Sequence, residues 1–371
     1  MANRGGLAVY VTSHGFGHLN RTVAVLNRMP ADVPITIRCH PNLFDRWQER
    51  LSRSVRFEAH ESDSGAINPP GDSAATDGPA TIDRARDAYG RSMVKLQEDI
   101  AVLRDEGTTA VLCDAPAVPL LAARGAKIPG FVLANFTWTE IYEPHARKLG
   151  REAMQFVNEM RSSYRSATTI FRAEPAMAMT GIAPIENVGL VVNPCRNRRK
   201  ELREGLSLSK EDKLVYFYVG RYGQAGLGWE RLAKMKGVHF IGFHPTPGSP
   251  ENFHLVPAAD WSGADLAAST DAIVAKAGYG TVSESMASRT PLVYPPRVGF
   301  AEHRSLDRCL RLWGGGLPAS SRAFAELRLE SLLKKAFSLS PGPPPFPADG
   351  AARVAERLTS ACRTPRSKVC G

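Results

Sequence analysis

A chain of 371 residues, 43% hydrophobic and 8% aromatic, is long enough for two domains and has an ordinary globular composition. No cleavable apolar leader, no run near the roughly 18 apolar residues that span a bilayer, and six cysteines without CxxC spacing exclude secreted disulfide, membrane-spanning and zinc-knuckle classes; they point to a cytoplasmic protein with reduced thiols. The net charge of +10 fits nucleic acid, an anionic membrane surface or anionic substrates, yet no nucleic-acid motif accompanies the basic run "CRNRRKELRE" (Cys195 to Glu204), which reads as a solvated linker or helix face.

In chain order, "LAVYVT" reads as a strand and "LNRTVAVLNRM" as a helix; "PITIRCH" and "PNLFDRWQERL" repeat the pair. The stretch from Glu61 to Pro79, rich in Ser, Gly, Pro and Asp, reads as a long loop. One long helix is expected from about Ile82 to Glu106, then the strand "TAVLCD", a helix in "AVPLLAARGA" and the strand "GFVLANF". "ATTIFRAE" is expected to be the last strand of this half. Alternation of strands and helices implies a parallel sheet covered on both faces.

The polar region "GLVVNPCRNRRKELREGLSLSKED" breaks the rhythm and sets a boundary near Asn193. Beyond it come "KLVYFYVG", a helix from Trp229, "GVHFIGF", "NFHLVP", a helix near Asp265, "DAIVAKAG", a helix from Thr281 and "PLVYPP". "SPGPPPFP" is a stiff connector into a last helix, "GAARVAERLTSACR". The expectation is an α/β chain of two Rossmann-like domains facing across a cleft, over residues 1–192 and 193–345, with 346–371 as a helix and tail packing back on the first domain.

Two glycine turns carry the chemistry. In "SHGFGHLNRT", Gly15 and Gly17 match a dinucleotide loop, but Asn20 stands where GxGxxG needs its third glycine. The second strand ends in Arg38 and His40 instead of a ribose-binding acid, leaving only a weak NADP reading. In "DAIVAKAGYGTVSESMASRTPLVYPPRVGFAEHRSLDR", Gly278, Gly280 and Thr281 place amides and a hydroxyl at a helix N-terminus, where a diphosphate is received. Glu284, one turn on, suits a ribose hydroxyl pair, since a carboxylate accepts two hydrogen bonds at once; its plainer role is to complement the helix dipole.

This second segment resembles the donor-binding half of two-domain glycosyltransferases of the GT-B fold, close to family 1 and family 28. "AKAGYGTVSE" is especially similar to the glycosyltransferase-like domain of arabinokinases and their bacterial relatives. The family 1 pattern is His-x-Gly-x-x-Ser/Thr-x-x-Glu; Lys276 stands in place of the histidine, a cation that serves the same charge. Where family 1 carries Asp-Gln against sugar hydroxyls, "GFAEHR" offers Glu302 and His303, and "VGRYGQAG" resembles the phosphate loop through Gly220, Arg221 and Gly223. By the same resemblance "GFGHLNRT" faces the acceptor, Gly17 admits the sugar, His18 matches the general base and Asp114 the aspartate that orients it.

The resemblance implies transfer of a sugar from a nucleotide diphosphate sugar, UDP-linked by family default, to an acceptor hydroxyl of a small molecule, glycan or lipid. The nucleotide sugar is then a co-substrate, with no cofactor and no metal, since no DxD-like site lies near the donor loop. Retaining relatives carry two glutamates eight positions apart; eight beyond Glu284 lies Leu292, which points to inversion. Two rivals stay open: a sugar epimerase of the same fold, and a non-catalytic glycosyltransferase-like module. His14 is a turn residue or a substrate contact, His145 an exposed one, and Trp138 packs or lines the acceptor pocket. Peripheral membrane association is a further option for the basic surface.

Overall fold

The computed structural model describes residues 6–61, 63–69, 76–218, 228–244, 248–297 and 299–364. They divide into two compact units: Val192–Ala348, and the residues before Val192 together with those from Asp349 onward.

In the first unit the strands are β1 (Leu7–Val11), β2 (Ile35–Cys39), β3 (Arg56–Ala59), β4 (Ala110–Asp114), β5 (Gly130–Ala134), β6 (Thr169–Glu174) and β7 (Ile185–Leu190). All are parallel, in the order β3-β2-β1-β4-β5-β6-β7. β1, β4 and β5 are buried along their whole length, which is why each is a continuous apolar run instead of an alternating one. Helices α1 (Phe16–Leu26), α2 (Phe44–Gln48), α3 (Gly78–Val94), α4 (Leu96–Asp105), α5 (Val118–Gly125), α6 (Trp138–Leu149) and α7 (Arg151–Tyr164) connect them.

The strand order reverses between β1 and β4, so the chain leaves these neighbours in opposite directions and opens a crevice at their C-terminal ends. Val11 pairs in register with Asp114, bringing the end of β4 beside the turn into α1. That single register pair positions the first half of the site.

Two expectations for this unit change. The helix expected to run unbroken from Ile82 divides at Lys95, which closes α3 and opens α4. α3 packs on α6 and α4 on α5, so the two halves turn different faces inward, and Met93 and Val94 are left exposed at the joint. β6 is not the last strand, because β7 extends the sheet just before and into the stretch read as polar from Gly189; its first half is open and only Val188–Leu190 is buried, so it shows little apolar pattern.

The second unit holds α8 (Arg199–Gly205), β8 (Lys213–Tyr218), α9 (Trp229–Ala233), β9 (Val238–Gly242), β10 (Phe253–Leu255), α10 (Gly263–Ser269), β11 (Ala272–Ala275) and α11 (Tyr279–Ser288). It continues with β12 (Leu292–Tyr294), α12 (His303–Trp313), β13 (Gly316–Pro318), α13 (Ser321–Ala325) and α14 (Glu330–Ser338). Its parallel sheet runs β10-β9-β8-β11-β12-β13, with its own reversal between β8 and β11. Here the helix expected from Thr281 starts two residues earlier, at Tyr279.

The last helix, α15 (Gly350–Arg363), returns to the first unit and packs on α1 and β7, placing Ala351, Val354, Ala355 and Leu358 in that core. Gly350 is needed there: a Cβ would lie 2.6 Å from Leu190 O and 2.7 Å from Val188 O. Among the described residues no helix is long and apolar enough to cross a membrane.

Candidate active site

In the first unit, Gly15 caps α1 at φ 88°, a conformation that favours glycine, and His18 follows in the first turn of the helix. His18 Nδ1 lies 2.6 Å from Asp114 Oδ1. A carboxylate only accepts, so this contact favours the proton on Nδ1 and leaves Nε2 as the basic nitrogen. Asp114 is fully buried and surrounded by donors: Arg21 Nε donates to Oδ2 at 2.7 Å, Arg21 Nη2 to Oδ1, and the Thr22 hydroxyl to Oδ2 at 2.6 Å. Burial by itself raises its carboxyl pKa, but Arg21 and His18 outweigh that and hold it at about 2. Arg21 also donates to Asn135 Oδ1, and Asn135 Nδ2 in turn donates to Ala173 O at 2.6 Å and Pro175 O at 3.0 Å. The Asp114 carboxylate is thereby tied to the end of β5 and to β6.

A second acid stands nearby. Trp138 Nε1 donates to Asp63 Oδ2 at 2.6 Å, and the Thr12 hydroxyl bonds the same carboxyl. Burial pushes the Asp63 pKa up to about 6, offset by those two donors and assisted by the Asp114 charge. The loop carrying Asp63 is fastened down: the Tyr142 hydroxyl donates to Ser64 O, Ile67 N to Thr81 Oγ1 at 2.9 Å, and Asp77 N to Ile67 O at 2.8 Å. A Cβ on Gly65 would fall 1.8 Å from His14 Cγ, so the loop lies directly on that ring. His14 N donates to Thr12 Oγ1 at 3.2 Å, and its ring meets Trp138 edge-on at 5.9 Å. Trp138, at 2% exposure, is a packing residue that holds Asp63. His145 is half-buried, its ring set against Gly78.

In the second unit the turn Lys276–Gly278 joins β11 to α11, with Gly278 as a cap that offers no side chain to the helix amides. A Cβ on Gly17, Gly278 or Gly280 would meet nothing within 4 Å, and none of the three has a positive φ, so neither turn geometry nor a described neighbour requires glycine there. Thr281 is half-buried in the first turn of α11. Glu284 projects toward Tyr216 and Gly263: a Cβ on Gly263 would sit 3.2 Å from both Glu284 Oε2 and the Tyr216 hydroxyl. Burial, then the Asp265 charge, pushes the Glu284 pKa up to about 7. Asp265 itself is held by Arg196, with Nη2 at 2.7 Å and Nε at 3.0 Å.

Glu302 and His303 open α12. Glu302 Oε1 pairs with Arg297 Nη1 at 3.2 Å, and the Arg297 guanidinium lies 3.6 Å from the centre of the Phe300 ring. Burial lowers the Lys276 pKa, and the Arg297 charge lowers it further. His303 Nδ1 is buried without a hydrogen-bond partner among the described residues. Gly220, Arg221 and Gly223 lie outside the described residues.

Sequence reasoning missed Arg21, Thr22, Asn135, Asp63 and Arg297. Arg21 and Thr22 did leave a signal, since they follow His18 at the i+3 and i+4 spacing that shares a helix face. Asp63 left none, for it sits in a polar loop among several similar residues.

No family model matches the chain. L-arabinokinase of Arabidopsis thaliana is 27% identical over 342 residues, covering 90% of this chain and 32% of that protein, so the chain spans about a third of its relative's length. A UDP-glucosyltransferase from Polygonum tinctorium superposes with a TM-score of 0.62 at 13% identity, over 97% of this chain and 99% of that one. Phytolacca americana UGT2, solved with UDP-2-fluoro-glucose and pterostilbene, gives 0.60 at 16% identity over 96% and 94%. At such identities the likeness is one of architecture, and with both parallel sheets in place it is plain: the chain has the two-domain GT-B fold of the glycosyltransferases.

Proposed function

We propose that the chain is an inverting, metal-independent glycosyltransferase that moves a sugar from a UDP-linked donor to an acceptor hydroxyl. The observation that carries this reading is the His18–Asp114 contact of 2.6 Å at the strand-order reversal of the first unit. In this reading residues 1–192 take the acceptor and 193–345 the donor, and 346–371 completes the first domain. His18 Nε2 removes the acceptor proton while the acceptor oxygen bonds the anomeric carbon; the bond from that carbon to the diphosphate oxygen breaks, and the nucleoside diphosphate leaves. Asp114 holds the imidazole tautomer and steadies the imidazolium.

The unoccupied space over Gly278 and Gly280, the uncapped start of α11 and the adjacent Lys276 favour a diphosphate there. Glu284, beside Gly263 and Tyr216, is assigned to the ribose hydroxyls, and Glu302, His303 and Gly17 to the sugar. The bound UDP-2-fluoro-glucose of Phytolacca americana UGT2 supports the choice of donor.

The test is turnover of UDP-glucose, with and without a panel of hydroxylated acceptors. His18→Ala is expected to cut transfer by about 10²–10⁴-fold while UDP still raises the melting temperature. Undiminished transfer in that variant sinks the base assignment, and failure of every nucleoside diphosphate to stabilise the chain sinks the donor site.

A further inference from the structure

The loops after β11 and β12 lie side by side, because Ile273 pairs with Leu292 and Val274 with Val293 in a parallel register. The first brings Lys276 to the start of α11, and the second brings Arg297. No carboxylate among the described residues pairs with Lys276, and Glu302 is the one that pairs with Arg297. Two neighbouring cations and the positive end of a ten-residue helix therefore share one carboxylate, and the local charge is incomplete without an added anion. Burial lowers the pKa of Lys276, with Arg297 adding to it, and burial also lowers that of Arg297 against the opposing Glu302 charge.

Arg297 is held by a single-nitrogen ion pair rather than by a bidentate one. The guanidinium lies 3.6 Å from the centre of the Phe300 ring, and the Glu302 contact of 3.2 Å uses a single nitrogen. A guanidinium meets two phosphate oxygens with parallel hydrogen bonds, a better match than one carboxylate oxygen.

We propose that Arg297 is a ligand of the donor diphosphate that Glu302 holds in reserve: on binding, the guanidinium exchanges the carboxylate for phosphate oxygens, and the released Glu302 turns to the hydroxyls of the transferred sugar. This rests on the donor site proposed above and adds a residue to it. The exchange also links recognition of the sugar to that of the diphosphate, since Glu302 is available only after Arg297 has let go.

The experiment is calorimetric titration of the full chain with UDP and with UMP, on the wild type and on Arg297→Gln, Arg297→Lys and Glu302→Gln, each checked for an unchanged far-ultraviolet spectrum. Arg297→Gln is expected to weaken UDP by about 10- to 100-fold and UMP by no more than about threefold, with Arg297→Lys between. Glu302→Gln is expected to tighten UDP, because the competing carboxylate is gone. A purely structural ion pair predicts the opposite sign for that variant. Unchanged UDP binding in Arg297→Gln, equal losses for UDP and UMP, or Glu302→Gln binding UDP no tighter than wild type each overturn the exchange while leaving the donor site standing. If the wild type binds none of UDP, TDP, ADP and GDP, the donor site itself falls and the exchange with it; if it prefers another base, that mono- and diphosphate pair replaces UMP and UDP.

Discussion

Both units place charged side chains where the strand order reverses, yet the strand beyond the reversal ends differently in each. β4 ends in Asp114, while β11 runs into Lys276. Around Asp114 the chain gathers the imidazole of His18 and a second acid, Asp63; around Lys276 it gathers Arg297 and the amide end of α11. The same architecture thus surrounds a buried carboxylate with donors in one unit and gathers cations with a helix N-terminus in the other. One residue type at a strand end sets the sign of the charge. The first pocket is complete within itself, since Asp114 has a donor at each oxygen; the second carries more positive charge than its carboxylates balance.

The largest effect on this contrast is expected from Asp114→Ala, which leaves Arg21 buried without its carboxylate. Removing one partner of a buried ion pair costs about 3–5 kcal/mol, to be read from urea unfolding. The pH dependence has a definite sign. The folded pKa of Asp114 is depressed from 3.8 to about 2, so its contribution is present above the unfolded value and disappears as pH falls through the folded one. The wild type should lose stability on acidification between about pH 4 and pH 2, and Asp114→Asn should flatten that limb. An unaltered acid limb would show that Asp114 is not the group held by Arg21.

A smaller effect is expected in the second unit. Glu284→Ala should weaken UDP by about tenfold and leave 2′,3′-dideoxyuridine diphosphate nearly unaffected, because hydrogen bonds to a charged group are worth about 1.5–3 kcal/mol. Equal losses for the two nucleotides would remove Glu284 from the ribose. A third effect concerns Asp63, whose folded pKa is raised from 3.8 to about 6. A raised carboxyl contributes stability that is fully present below the unfolded pKa and lost as pH rises through the folded one. Asp63→Asn should therefore raise the melting temperature relative to wild type near pH 7 and make no difference near pH 4. A constant difference at both pH values would mean that Asp63 does not titrate in the pocket.

Much of this molecule is local in origin. Buried parallel strands must be apolar along their length, so "LAVYV", "AVLCD" and "AIVA" announce themselves, and the rhythm of strand and helix announces two parallel sheets. The glycine turns at Gly15 and Gly278 and the histidine behind the first of them are legible for the same reason, being short patterns within one strand–turn–helix unit. The break at Lys95 and the strand β7 were not, because which face of a helix turns inward, and whether half a strand lies at an open edge, is settled by neighbours far along the chain.

The same distance separates the named site from its support. Arg21 meets Asp114 across 93 residues and Asn135 across 114, and Trp138 holds Asp63 across 75. No local pattern ties such positions together. Sequence by itself determined the central strands, the two-sheet plan and which turns carry histidine, glycine or lysine. Only the tertiary structure decided which charges are neutralised and which are left over, since that depends on register between strands and on how deeply each side chain is removed from water.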